Sequence, residues 1–113
     1  MRYQAVEPIS RSEAERIFAG DNTDAMVHAL LSLAYHDPDW QWVQNRCLRF
    51  LDASNFNLRR MATLCLGHIG RIHGVIVWDV VVPRLESLLD DPELGGTAED
   101  ALDDIRVFVK KKV

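Results

Sequence analysis

The sequence predicts an all-α protein, an α-solenoid of three antiparallel helix pairs, and three observations predict it. An apolar stripe recurs three times at a spacing of 36: Met26, Ala29, Leu30, Leu33, then Ala62, Cys65, Leu66, Ile69, then Ala98, Ala101, Leu102, Ile105. Each copy falls at i, i+3, i+4, i+7, one face of an α-helix, and a period in the thirties accommodates a helix pair per repeat. Capping and turn residues separate the apolar segments. At 113 residues, 48% of them hydrophobic, the chain reads as one domain over 1–113 that can bury a core.

Ser10 followed by Glu13 has capping-box spacing and Gly20 makes a stop, so a first helix is expected over about residues 11–19. A second starts near Asp21 to Thr23 and runs to about Tyr35 with the first stripe. Asp37-Pro38 reads as an N-cap and first helical residue, giving a third helix over about 38–53 with Trp40, Val43, Cys47, Leu48 and Leu51 inward. Asp52 to Asn55 turns the chain. The fourth helix, about 56–72, carries the second stripe and ends at Gly70 or Gly74. Val75 to Val82 is β-branched and reads locally as a strand, but a lone strand would have no partner. A connection and then a helix from about Trp78 to Leu89 are expected instead, with Pro83 tolerated or kinking it and Trp78 as a core anchor. Gly95-Gly96 is a loop, Thr97 a cap, and the last helix runs to about Lys110 with a cationic end that complements its dipole.

Composition narrows the function classes. A formal charge of −4 and an isoelectric point near 5.5 disfavour nucleic-acid binding, which relies on lysine and arginine neutralising phosphates. A basic protein partner suits the chain better. Cys47 and Cys65 are neither a close pair nor part of a dense framework, and Cys65 fills the small core slot held elsewhere by Ala29 and Ala101, so both read as reduced, buried thiols. The start, Met-Arg-Tyr-Gln-Ala-Val-Glu-Pro, has no apolar h-region, and no window approaches ~18 consecutive apolar residues. Neither export nor a membrane partner is expected, which leaves the cytoplasm. His28, His36, His68 and His73 lack metal-ligand spacing with each other or with the cysteines. There is no phosphate loop and no nucleophile elbow. No catalytic residue, metal or cofactor is therefore assigned, and the chain is not read as an enzyme.

Val82-Pro83-x-Leu85-x-x-Leu88-Leu89-Asp90-Asp91-Pro92, followed by Ala98-x-x-Ala101-Leu102-x-x-Ile105, resembles a HEAT repeat. Leu58-Arg59-Arg60-Met61-Ala62, continuing to Leu66-Gly67-His68-Ile69-Gly70, resembles the second helix of another. The resemblance covers about residues 39–109; the first 35 residues match only through the stripe. HEAT-like arrays are mostly scaffolds for protein binding. In size and acidity the chain is also similar to the small HEAT-like immunity proteins of bacterial contact-dependent and polymorphic toxin systems. That resemblance implies a cytosolic inhibitor that covers the active site of one cognate toxin domain, commonly a basic nuclease. The alternative is a general HEAT-like adaptor or assembly protein with no toxin partner, a monomer or a weak homo-oligomer. HEAT-like arrays also occur in alkylpurine DNA glycosylases, but this chain is much shorter than that resemblance requires, and its candidate groove is acidic.

With the stripes inward, the second helices of the pairs turn out Asp24, His28, Leu31 and Tyr35, then Arg60, Thr63, Gly67 and Arg71, then Glu99, Asp100, Asp103 and Asp104. Residues 90–104 hold Asp90, Asp91, Glu93, Glu99, Asp100, Asp103 and Asp104 without one lysine or arginine. Such a patch can steer a basic partner. Glu99/Asp103 and Asp100/Asp104 are like-charge i, i+4 pairs, each unfavourable by roughly 0.2–0.5 kcal/mol, so helix stability did not select them. Tyr35, His36, Trp40 and Trp42 cluster near the turn between the first two pairs, and aromatic residues are frequent interface anchors. Trp40 and Trp42, two apart, cannot point the same way; one is expected in the core and the other partly exposed. Tyr35, Trp42 and the seven carboxylates are the expected partner-binding residues.

Overall fold

The computed structural model describes residues 6–110. The first five residues of the N-terminal reading and the last three, with two of the terminal lysines, lie outside it. Among the described residues six helices follow in order: α1 (Arg11–Phe18), α2 (Thr23–His36), α3 (Trp40–Phe50), α4 (Phe56–His73), α5 (Trp78–Glu86) and α6 (Gly95–Phe108). No strand occurs among the described residues.

Side-chain caps start the first four helices. Ser10 accepts the Glu13 N–H at 3.1 Å, Asn22 that of Ala25 at 3.1 Å, and Asn55 that of Leu58 at 3.1 Å. At α3 the cap differs from the expectation. Asp37 Oδ1 accepts the Asp39 N–H at 2.8 Å, and Asp39 then caps Trp42 at 3.1 Å. The first aspartate forms a local turn and hands the capping role to the second, so Pro38 precedes the helix. Gly74 ends α4 in the left-handed region at φ 70, its N–H donating to the Gly70 carbonyl at 2.9 Å.

Helices α2, α4 and α6 lie side by side with α4 in the middle, while α1 packs on α2, α3 on both α2 and α4, and α5 on α6. The stripes make this core. Every stripe residue is buried except Met26, which is half-buried against the rest. Alternation of small and large residues lets the helices approach closely. A Cβ on Gly67 would stand 2.8 Å from the Ala101 Cα, and one on Gly70 would stand 3.0 Å from Ile105 Cγ1. The expectation that Thr63 and Gly67 point outward is therefore wrong. Both are buried, with Thr63 Oγ1 turned back onto the Arg59 carbonyl at 2.8 Å, because a central helix needs two packing flanks and an outer helix only one.

The β-branched segment resolves as a connection plus a helix. Val77 precedes α5 without a side-chain cap of its own, and its N–H is taken instead by Gln44 Oε1 at 2.7 Å. Gln44 is 1% exposed, a buried amide that α3 holds against the connection. Gln44→Leu keeps most of the volume but strands the Val77 N–H, so urea denaturation should show a loss of about 1–3 kcal/mol. Ile76, Val81 and Val82 enter the core, and Trp78 packs half-buried against it. The helix ends at Glu86, short of Leu89, three residues past Pro83.

Two further expectations fail at the last loop. Helix α6 begins at Gly95, so Thr97 lies inside it and is not its cap. Asp91 organises the entry instead: its Oδ1 accepts the N–H groups of Glu93 and Leu94 at 2.8 and 2.9 Å, and its carbonyl accepts that of Gly95 at 2.9 Å. A Cβ on Gly95 would fall 2.5 Å from the Leu89 carbonyl oxygen, which is why glycine stands there. The C-terminal end of α6 is Phe108, two residues before Lys110.

Candidate partner-binding surface

Helix α4 packs on both α2 and α6, so the outward sides of α2 and α6 flank that of α4. On α6 the burial of Ala98, Ala101, Leu102 and Ile105 leaves Glu99, Asp100 and Asp103 exposed and Asp104 half-buried. None of the ion pairs among the described residues engages these four carboxylates. Arg106, three residues from Asp103, turns instead toward Glu86 on α5 at 3.8 Å.

The loop carboxylates divide by role. Asp90 and Glu93 are exposed. Asp91 is committed to its two backbone donors, which hold its carboxyl below the usual range, and the Arg59 guanidinium on α4 adds to this. Removing Asp91 would disturb the loop as well as the charge, so it is a poor probe of binding.

The aromatic residues separate onto different surfaces. Tyr35 is half-buried on the α2–α4 side, its ring edge-on to His68 at 5.2 Å and to His36 at 6.4 Å. Trp42 lies on the α1–α3 side, with the Arg11 guanidinium 4.0 Å above its ring and that of Arg46 at 6.0 Å. Arg11 is itself paired with Asp39 at 2.6 Å and Arg46 with Glu15, so Trp42 is fastened into the α1–α3 contact. Trp40 and Trp42 are both half-buried against the core, not one in and one out. The sequence neighbours Tyr35 and Trp42 therefore do not make one site.

Sequence reasoning weighed His68 only as a metal ligand and set it aside. Its Nδ1 accepts from Arg71 Nη2 at 3.1 Å, and Asp104 reaches it electrostatically from α6. Burial, then the Arg71 charge, push the imidazole below its ordinary value against the pull of Asp104. The signal was present: His68 and Arg71 are three apart on α4, so they share its outward side.

A cleft of about 570 Å³ between the N-terminal segment, α1 and α2 is lined mainly by aliphatic groups such as Ile9, Ile17 and Leu31, and its Ser32 hydroxyl already donates to the Glu7 carbonyl. Among the described residues no three His, Cys, Asp or Glu side chains converge as metal ligands, and no helix is long and apolar enough to cross a membrane. Cys47 and Cys65 are free and buried, but α3 and α4 bring the two thiols together, and burial, reinforced by Cys47, pushes the Cys65 thiol up.

The same architecture is found in a solved structure, the "CDI complex from Cupriavidus taiwanensis LMG 19424", where one chain superposes with a TM-score of 0.84 at 36% identity over 96% of both chains. The chain belongs to that CDI family. No protein-family model matches it, nor does any curated protein. Identity at this level over nearly the whole length places this CDI protein in the family by sequence as well as by fold.

Proposed function

We propose that this CDI protein is the immunity component of such a system, a HEAT-like solenoid that binds one cognate toxin domain and covers its active site without catalysing a reaction itself. The observation that carries the reading is the 36% identity to a chain of a CDI complex across 96% of both lengths. The unpaired carboxylates of α6 support a basic toxin domain of the nuclease type, since complementary charge accelerates encounter and excludes wrong partners. A protein whose formal charge is −4 would have no affinity for the nucleic acid such a toxin attacks. It would act in the cytoplasm as a monomer or weak homo-oligomer. Tyr35 would supply an anchor, and Trp42 a more distant contact on the α1–α3 side. An adaptor role without a toxin has no structural observation in its favour.

The test is co-production with the toxic domain of the CDI toxin from the same host. Restored growth, and a stable 1:1 complex in which the toxin's activity is lost, are expected. If the toxin domain keeps its activity at saturating concentrations of this protein, the reading is wrong.

A further inference from the structure

The centre of the α2–α4–α6 surface holds a donor whose direction is fixed by its neighbours. An arginine guanidinium has only donors, so the 3.1 Å contact from Arg71 Nη2 requires His68 Nδ1 to be the unprotonated, accepting nitrogen. The imidazole proton is then on Nε2. No described residue accepts from Nε2, and that nitrogen is not among the buried side-chain atoms that lack a partner, so it opens toward solvent. The groups facing the ring from the packed helices are Tyr35 on α2, Arg71 on α4 itself and Asp104 on α6. The Tyr35 ring stands edge-on at 84° and limits rotation. A half-buried donor with Tyr35 and Arg71 set against its ring loses little freedom when it meets an acceptor.

We infer that His68 is a specificity contact for the toxin domain, donating from Nε2 to an acceptor oxygen, a carbonyl or carboxylate, on the partner. This rests on the immunity reading and names a residue of the same surface that the acidic patch does not include. Its charge is not what matters: the lone pair that Nδ1 offers Arg71 makes the ring the neutral Nε2–H form, so the contact reads hydrogen-bond geometry beside a region that reads charge.

Two substitutions separate donor from ring. His68→Phe keeps an aromatic partner for Tyr35 and removes the Nε2 donor; His68→Gln places an amide donor near the Nε2 position and does not titrate. Affinity for the toxin domain, measured by titration calorimetry on variants whose melting temperatures match the parent, is expected to fall about tenfold for His68→Phe and to stay within about threefold for His68→Gln. Long-range nitrogen-15 spectra of the free protein should show the Nε2–H tautomer. Parental affinity in His68→Phe, equal losses in both variants, or an Nδ1–H tautomer would each overturn the inference. Asp100→Lys/Asp103→Lys, which leaves His68 in place, distinguishes the two readings. If that double variant binds weakly while His68→Phe binds normally, the surface stands and the His68 contact is wrong. If both bind normally, the surface itself is wrong.

Discussion

Gly67→Val is expected to destabilise the protein by about 3 kcal/mol or more, the upper end of overpacking costs, with the loss read as a lowered urea midpoint at an unchanged slope. The reason is position, not glycine content. A Cβ at residue 67 would meet the backbone of α6, 2.8 Å from Ala101 Cα and 3.1 Å from its Cβ, and backbone cannot swing aside as a long side chain can. Valine adds two methyl groups to that clash and forces α4 and α6 apart. Their contact includes Ile69, Leu102 and Ile105, all fully buried, so separation would also admit water to the core. The control is Gly96→Ala. Nothing lies within 4 Å of a Cβ there, and Gly96 is exposed in the first turn of α6. Alanine should be neutral or stabilising by up to about 1 kcal/mol, because it restricts the unfolded chain and favours helix. Equal losses for the two variants would mean that helix approach at Gly67 is not limiting.

That contrast marks where the fold was legible in the sequence. The period of 36 and the i, i+3, i+4, i+7 spacing placed all three stripes, and the capping residues Ser10, Asn22 and Asn55 stand at or close to the expected starts. Periodicity identifies one buried face per helix. It does not reveal that α4 is flanked on both sides, and so Thr63 and Gly67 read as outward when they are packed. The start of α3 and the start of α6 slipped for a different reason. At α3 two aspartates, Asp37 and Asp39, compete to cap, and residue type alone does not distinguish them; at α6 Gly95-Gly96 read as loop and Thr97 as cap, while the backbone bonds of Asp91 start the helix at Gly95.

The surface was legible in charge and not in geometry. An unbroken run of carboxylates is a property of composition, and α6 does expose Glu99, Asp100 and Asp103. The aromatic pair was not legible, because residues seven apart across a helix boundary can face opposite sides of a two-layer structure. Trp42 went to the arginines of the α1–α3 contact, and Tyr35 went to His68. His68 itself stood at a variable position of the Leu66-Gly67-x-Ile69 motif. Its surroundings form only when Tyr35, Arg71 and Asp104 meet from three helices.

Asp100→Lys/Asp103→Lys should weaken binding to a basic toxin domain by about 10–100-fold while leaving the fold intact, and the signs of the two effects make the experiment decisive. Reversal converts the Asp100/Asp104 and Glu99/Asp103 pairs from repulsive to attractive at i, i+4, each worth roughly 0.2–0.5 kcal/mol, so the free protein should melt no lower than the parent. Neither residue is used by an ion pair among the described residues, and both are exposed, so no packing is lost. Weaker binding therefore could not be a consequence of unfolding. Most of the loss should appear in the association rate, because exposed charges act on encounter more than on residence time. Raising the salt to about 0.5 M should shrink the difference between variant and parent, since screening shortens the reach of the field to a few ångströms. Parental affinity at low salt would remove the carboxylates from the binding surface. A loss that persists unchanged at high salt would mean that Asp100 and Asp103 make short, buried contacts with the partner instead of steering it from a distance.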